Sequence, residues 1–152
     1  EGGSVITLDQ VETRDNLRVV SDIGSRLPIY CTSQGKVFLA HMSRTSAEAL
    51  LRAQHMTQFT PHTITDLTAL MQEIDLCRTD GYAIENGEYK IGLRSISAPV
   101  YTVERKARYT VGVIGMFRST RSDEFLAAVE QVCAAASMIS TALGYRKTEE
   151  LL

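Results

Sequence analysis

Six apolar residues near the C-terminus, Phe125, Val129, Val132, Ala136, Ile139 and Leu143, recur with spacings of 4, 3, 4, 3 and 4. That spacing aligns them along one side of an α-helix of about six turns, and Gly144 is placed to end it. A helix with one apolar side needs a surface to cover, either the core of its own domain or a second subunit. The other residues must supply that surface.

Residues 81–101, GYAIENGEYKIGLRSISAPVY, are the best candidate. Asn86-Gly87 is a turn signal between Glu85 and Glu88. A strand follows with Ser95 and Ser97 on one face and Ile96, Ala98 and Val100 on the other. The apolar face suits a core, and the small hydroxyls suit a cavity or a close approach. Glu85 and Glu88 read as solvated turn carboxylates or as an acid/base pair.

Along the chain, Gly2-Gly3-Ser4 is turn chemistry before the strand-like run Val5 to Leu8, so a strand preceding it is expected to be missing. Leu17, Val19 and Val20 suggest a second strand. Pro28 marks an extended segment, and Thr32 or Ser33 caps a short helix whose apolar side is Val37, Phe38 and Ala40. Thr45 with Glu48 forms a capping box for the next helix. Residues 54–65 read as a loop. Asp66 starts a helix with Leu67, Leu70, Met71, Ile74 and Cys77 at helical spacing, and Gly81 ends it. Thr102 to Arg108 turns the chain back into a strand, Tyr109 to Met116, whose Gly112 and Gly115 mark bulges or close approach. Strands and helices grouped apart favour an α+β fold. About five or six mainly antiparallel strands, flanked by helices, are expected, with the long helix last.

Length and charge narrow the function. The 152 residues fit one domain, assigned to residues 1–146 with a tail at 147–152. A net charge of −2 argues against a nucleic-acid interface in this chain. The three cysteines, Cys31, Cys77 and Cys133, are far apart and odd in number, which reads as reduced thiols and a cytoplasmic setting. No apolar run is judged to approach a membrane span. His41, His55 and His62 lack metal spacing, and no phosphate loop or Cys-x-x-Cys occurs, so neither metal nor cofactor is expected. Cys31 near a helix N-terminus is a possible nucleophile. Around Ser33, Gln34 and Gly35, free first-turn N–H groups suit a carboxylate or phosphate, and Gly35 leaves room for close approach. With the Ser95 face opposite, this describes a pocket for a small organic acid.

The segments GSRLPIYCTSQGKVFLA at 24–40, TPHTIT at 60–65, 81–101, and the last helix ending in Leu143-Gly144 resemble the effector-binding domain of IclR-family transcriptional regulators, over roughly residues 1–145. The resemblance implies a GAF/PAS-like sensor domain, a preceding winged helix-turn-helix that is absent from these residues, and a homodimer or tetramer. It implies a small-molecule effector, a carboxylic or aromatic acid, with DNA contacted only through the absent domain. By the same resemblance the pocket residues are Leu27, Ser33, Gln34, Gly35, Glu85, Ser95, Gly112 and Ile114, with Ser33→Trp expected to block binding and spare the fold. Four positions depart from the family pattern. Glu85 stands where Asp or Ser is usual, Gly112 and Ile114 replace the paired serines of the glyoxylate-responsive type, and Thr102 replaces Asp or Asn. These changes suggest a roomier, less polar cavity. The alternatives are a thiol-dependent enzyme on a GAF-like fold, with Cys31 or Cys77 as nucleophile, and an oligomerisation module with a vestigial pocket.

Overall fold

In the computed structural model, which describes residues 2–12 and 22–147, the two-faced segment is the middle strand of a three-stranded antiparallel sheet. β3 (Ala83–Asn86), β4 (Arg94–Tyr101) and β5 (Ala107–Gly115) lie side by side in chain order. Pro99 is tolerated because the pairing with β3 ends at Ser97, leaving β4 a neighbour on one side only. A separate two-stranded ladder pairs β1 (Ser4–Ile6) with β2 (Arg26–Pro28), Val5 opposite Leu27. The described residues thus hold five strands, all antiparallel, divided between two sheets. The strand expected at Leu17, Val19 and Val20 lies outside the described residues.

Helices take the two faces of the larger sheet. α4 (Asp123–Ala142) lays Phe125, Val129, Val132 and Ala136 on Ile96, Ala98 and Val100. The apolar stripe was expected to run on through Ile139 and Leu143, but both are exposed. Ser140 takes the inward position instead. Its hydroxyl donates to the Ala136 carbonyl at 2.7 Å and accepts the Tyr101 N–H at 2.9 Å, satisfying the strand end where its register slips. At 20 residues and a mean hydropathy of 1.4, α4 is also long and apolar enough to cross a membrane. That corrects the expectation that no such run exists, and its inner stripe is nevertheless committed to the sheet.

On the other face, α1 (Ser33–Ala40) is buried on nearly every side, packed by α3 (Leu67–Asp80), α2 (Arg44–Arg52) and all three strands of the larger sheet. Thr32 caps α1, its hydroxyl accepting the Gly35 N–H at 3.2 Å. Asp66 caps α3, and Gly81, at φ 79°, closes it. For α2 the cap is Ser43, not Thr45, with Ser43 Oγ accepting the Ser46 N–H. The capping-box pattern at Thr45 therefore sits inside the first turn.

Gly35 is the tightest point of this packing. A Cβ there would lie 1.9 Å from the Ile29 carbonyl oxygen, so the missing side chain makes room for the protein's own backbone rather than for a ligand. Gly35→Ala is expected to cost about 1–3 kcal/mol through overpacking, read as a lower urea midpoint at unchanged m-value. An unchanged midpoint would contradict this packing.

Candidate functional site

Strand register brings the site together. Glu85 pairs with Ser95 and Ser95 with Ile114; one step along, Ala83 pairs with Ser97 and Ser97 with Gly112. Directly paired residues share a sheet face, so Glu85, Ser95, Ser97, Gly112 and Ile114 all point to the α1 side. There a trough runs between β1–β2 and β5. Leu27, Gln34, Glu85, Ser95, Gly112 and Ile114 line it, with Phe38, Tyr89 and Leu93 among its apolar walls. Two of the expected residues lie beneath it. Gly35 is sealed against Ile29. Ser33 is 0% exposed, with its Oγ 2.8 Å from both Ser95 Oγ and Ser97 Oγ. A tryptophan at Ser33 would break this junction, which corrects the expectation that the fold would survive it.

Glu85 is buried rather than solvated, at 2% exposure. Its Oε1 accepts the backbone N–H groups of Glu88 and Tyr89, which closes the turn after β3, and Oε2 accepts the Ser95 hydroxyl at 3.2 Å. Loss of water around it is the largest influence and raises its pKa above the ordinary 4.5, against the lowering by those N–H donors.

Glu88 has a different function. It receives Lys36 Nζ at 2.6 Å, and Lys36, only 1% exposed, also donates to the Ile84 carbonyl at 3.3 Å. The carbonyls of Gly87 and Glu88 accept the hydroxyls of Thr60 and Thr63 at 2.7 and 2.6 Å. The threonine-rich loop therefore holds the 85–93 turn, and Lys36 ties that turn to α1. Neither Lys36 nor Ser97 was singled out as functional from sequence. Lys36 falls on a short helix beside Gly35, and only its position next to the apolar run hinted that it is inside. Ser97 was visible as the second small residue on the polar face.

The thiols do not suit nucleophilic chemistry. Burial, with Glu88 and Glu85 adding to it, pushes Cys31 up to about 12, and burial pushes Cys77 up to about 11. Both stay protonated and inert at neutral pH. No cluster of metal-ligating residues occurs among the described residues.

A small polar floor inside apolar walls, beside a buried helix N-terminus, defines a ligand-sensing α+β domain. The family model described as bacterial transcriptional regulator IclR C-terminal matches residues 1–141, and the chain belongs to that family. It is 27% identical over 145 residues to the HTH-type transcriptional repressor AllR of Escherichia coli (strain K12), covering 95% of this chain and 54% of AllR. A transcriptional regulator from Rhodococcus sp. RHA1 superposes with a TM-score of 0.88 at 27% identity, over 94% of this chain and 58% of that one. The C-terminal domain of the E. coli regulator KdgR does so with a TM-score of 0.75 at 30% identity, over 95% and 84%. The chain spans about half the length of the curated relatives it matches. These relatives are regulators, not enzymes, and the thiol-enzyme reading falls with the inert cysteines.

Glu85 gives the domain a signed pH dependence. Below the ordinary carboxylate range the group is neutral in both folded and unfolded chains, and the fold keeps its full stability. As the pH rises through the raised folded pKa, ionisation in the buried site lowers that stability. Glu85→Gln removes this loss. The Tm difference, variant minus wild type, is expected to be larger at pH 8 than at pH 4.5; a difference independent of pH would contradict it.

Proposed function

We propose that this domain is the effector sensor of a DNA-binding transcriptional regulator, with a small carboxylic or aromatic acid as its effector. The observation that carries the reading is the row Glu85–Ser95–Ile114, set in register beside Ser97–Gly112, facing the trough next to the N-terminus of α1. The first-turn N–H groups of Ser33 and Gln34 have no partner among the described residues, and the helix dipole adds to their attraction for an anion. Gln34 lines the trough beside them. With Gly112 and Ile114 in place of hydroxyl side chains, the part of the β5 wall facing Ser95 and Ser97 is apolar, which favours a carbon skeleton larger than two atoms.

Effector binding is proposed to shift the arrangement of a homodimer or tetramer and so the spacing of N-terminal DNA-binding domains. Leu126, Met138, Ile139 and Leu143 are exposed apolar residues of α4 and its C-cap, which supports a subunit contact along this helix. A strand preceding Ser4 is part of the same proposal. Gly2 and Gly3 both have positive φ, 58° and 80°, the geometry of a tight hairpin turn. Residues of β1 and of β5 both line the trough, so a strand added beside β1 would extend its wall. A cytoplasmic setting accompanies this role.

The test is a thermal-shift panel of aliphatic and aromatic carboxylic acids, with Ile114→Trp as the blocking variant. Ile114 is 42% exposed, so tryptophan narrows the trough without entering the core. At least one acid larger than two carbons is expected to raise the Tm, and the variant should weaken that acid about tenfold or more while its own ligand-free Tm is unchanged. Stabilisation by glyoxylate alone would defeat the larger-effector reading, and stabilisation that Ile114→Trp does not alter would defeat the site.

A further inference from the structure

The floor of the trough has a hydrogen-bonding polarity fixed by counting protons. Ser33 Oγ lies 2.8 Å from Ser95 Oγ and 2.8 Å from Ser97 Oγ, and Ser95 Oγ lies 3.2 Å from Glu85 Oε2. Three contacts link three hydroxyls and one carboxyl, and each hydroxyl has one proton to give. With Glu85 ionised, Ser95 donates to Glu85. Ser33 must then donate to Ser95, because two oxygens at 2.8 Å without a proton between them repel, and Ser97 must donate to Ser33. The chain therefore has one direction, from Ser97 through Ser33 and Ser95 to Glu85.

Protonating Glu85 allows the chain to reverse. Glu85 then donates to Ser95, Ser95 to Ser33, and Ser33 to Ser97. A third arrangement sends the Ser33 proton to Gln34 Oε1, a longer 3.4 Å contact, with Ser95 and Ser97 both turned onto Ser33. A fourth, also open only to the protonated form, has Glu85 and Ser33 both donating to Ser95 and frees the Ser95 proton, whereas with Glu85 ionised that proton is always consumed inside the floor. The remaining carboxyl oxygen, Glu85 Oε1, is an acceptor already occupied by the N–H groups of Glu88 and Tyr89. Of the four residues, only Glu85 and Ser95 line the trough, while Ser33 and Ser97 lie beneath at 0% exposure. With Glu85 ionised, this end of the trough therefore offers a ligand lone pairs and no protons.

Resting on the sensor reading above, we infer that the effector presents a hydrogen-bond donor, a hydroxyl or an amine, to Ser95 and Glu85, and keeps its carboxylate at the Gln34 end. A carboxylate or an ether oxygen on Ser95 would meet lone pairs only. In a dry site such a mismatch leaves polar groups unpaired, the kind of penalty that lets a protein reject an analogue lacking one O–H. Glu85 is thereby a specificity-determining residue. Its two N–H contacts hold the turn, and its other oxygen sets the direction in which Ser95 points.

The experiment uses matched acids that differ only in the donor: 2-hydroxypropanoate against 2-methoxypropanoate, and 4-hydroxyphenylacetate against 4-methoxyphenylacetate. Each is titrated calorimetrically at pH 8 into wild type and Glu85→Gln. On wild type, the hydroxy member of whichever pair binds should be at least tenfold tighter. The glutamine keeps an oxygen for the Glu88 and Tyr89 N–H groups, and its amide nitrogen gives one proton to Ser95 and one to the trough. The preference for the hydroxy member should therefore shrink at least tenfold in the variant, and mere loosening of the turn would weaken both members alike. If both members bind wild type equally and Ile114→Trp weakens both, the inference is overturned while the sensor reading stands. If no member of either pair binds, both fall.

Discussion

The ion pair between Lys36 and Glu88 is what the rest of the site depends on. Both partners are almost fully buried and 52 residues apart in sequence. Removing Lys36 would leave the Glu88 carboxylate buried without its cation, a loss of about 3–5 kcal/mol, whereas removing Glu88 would leave Lys36 only the more distant Glu73 at 3.6 Å. The pair fastens a turn of the sheet to the one helix that has no exposed side. Once α1 is held there, Ser33 reaches Ser95 and Ser97, Gly35 meets Ile29, and the first turn of α1 lies at the edge of the trough. Thr60 and Thr63 hold the same turn from the opposite direction. The sheet and helix are thus locked by polar contacts at their junction and by apolar contacts elsewhere.

That arrangement accounts for two carboxylates three residues apart having unrelated functions. Glu88 is neutralised by a cation and fixes position. Glu85 has no cation; it is satisfied by two backbone N–H groups and a serine hydroxyl, and burial raises its pKa. One is framework and the other is the polar end of a cavity. The catalytic-pair reading of Glu85 and Glu88 finds no support, since Glu88 Oε1 is held by Lys36 and both Glu85 oxygens by Glu88 N–H, Tyr89 N–H and Ser95.

Features coded by near neighbours were legible in the sequence. Asp66 and Gly81 bound α3 as expected because a cap needs only residues within one turn. The two faces of β4 were readable from alternation alone, and the stripe from Phe125 to Ala136 from its period. Features that depend on distant partners were not. Lys36 looks like a solvated lysine until Glu88 is brought beside it. Gly35 looked like room for a ligand, yet the Ile29 backbone fills that room. Ile139 and Leu143 continue a plausible stripe, but the end of β4 needed a hydrogen-bond acceptor and Ser140 supplies it. For the site, the resemblance drew attention to the right stretches, and burial then separated the six expected residues that line the trough from Ser33 and Gly35 below it.

The most direct measurement of the central claim is a high-resolution crystal structure of the domain with an acid that raises its Tm. The ligand is expected in the trough, bounded by Leu27, Gln34, Glu85, Ser95, Gly112 and Ile114, with its carboxylate at the first turn of α1. A ligand bound elsewhere, with the Ser33–Ser95–Glu85 floor facing an empty trough, would contradict the account.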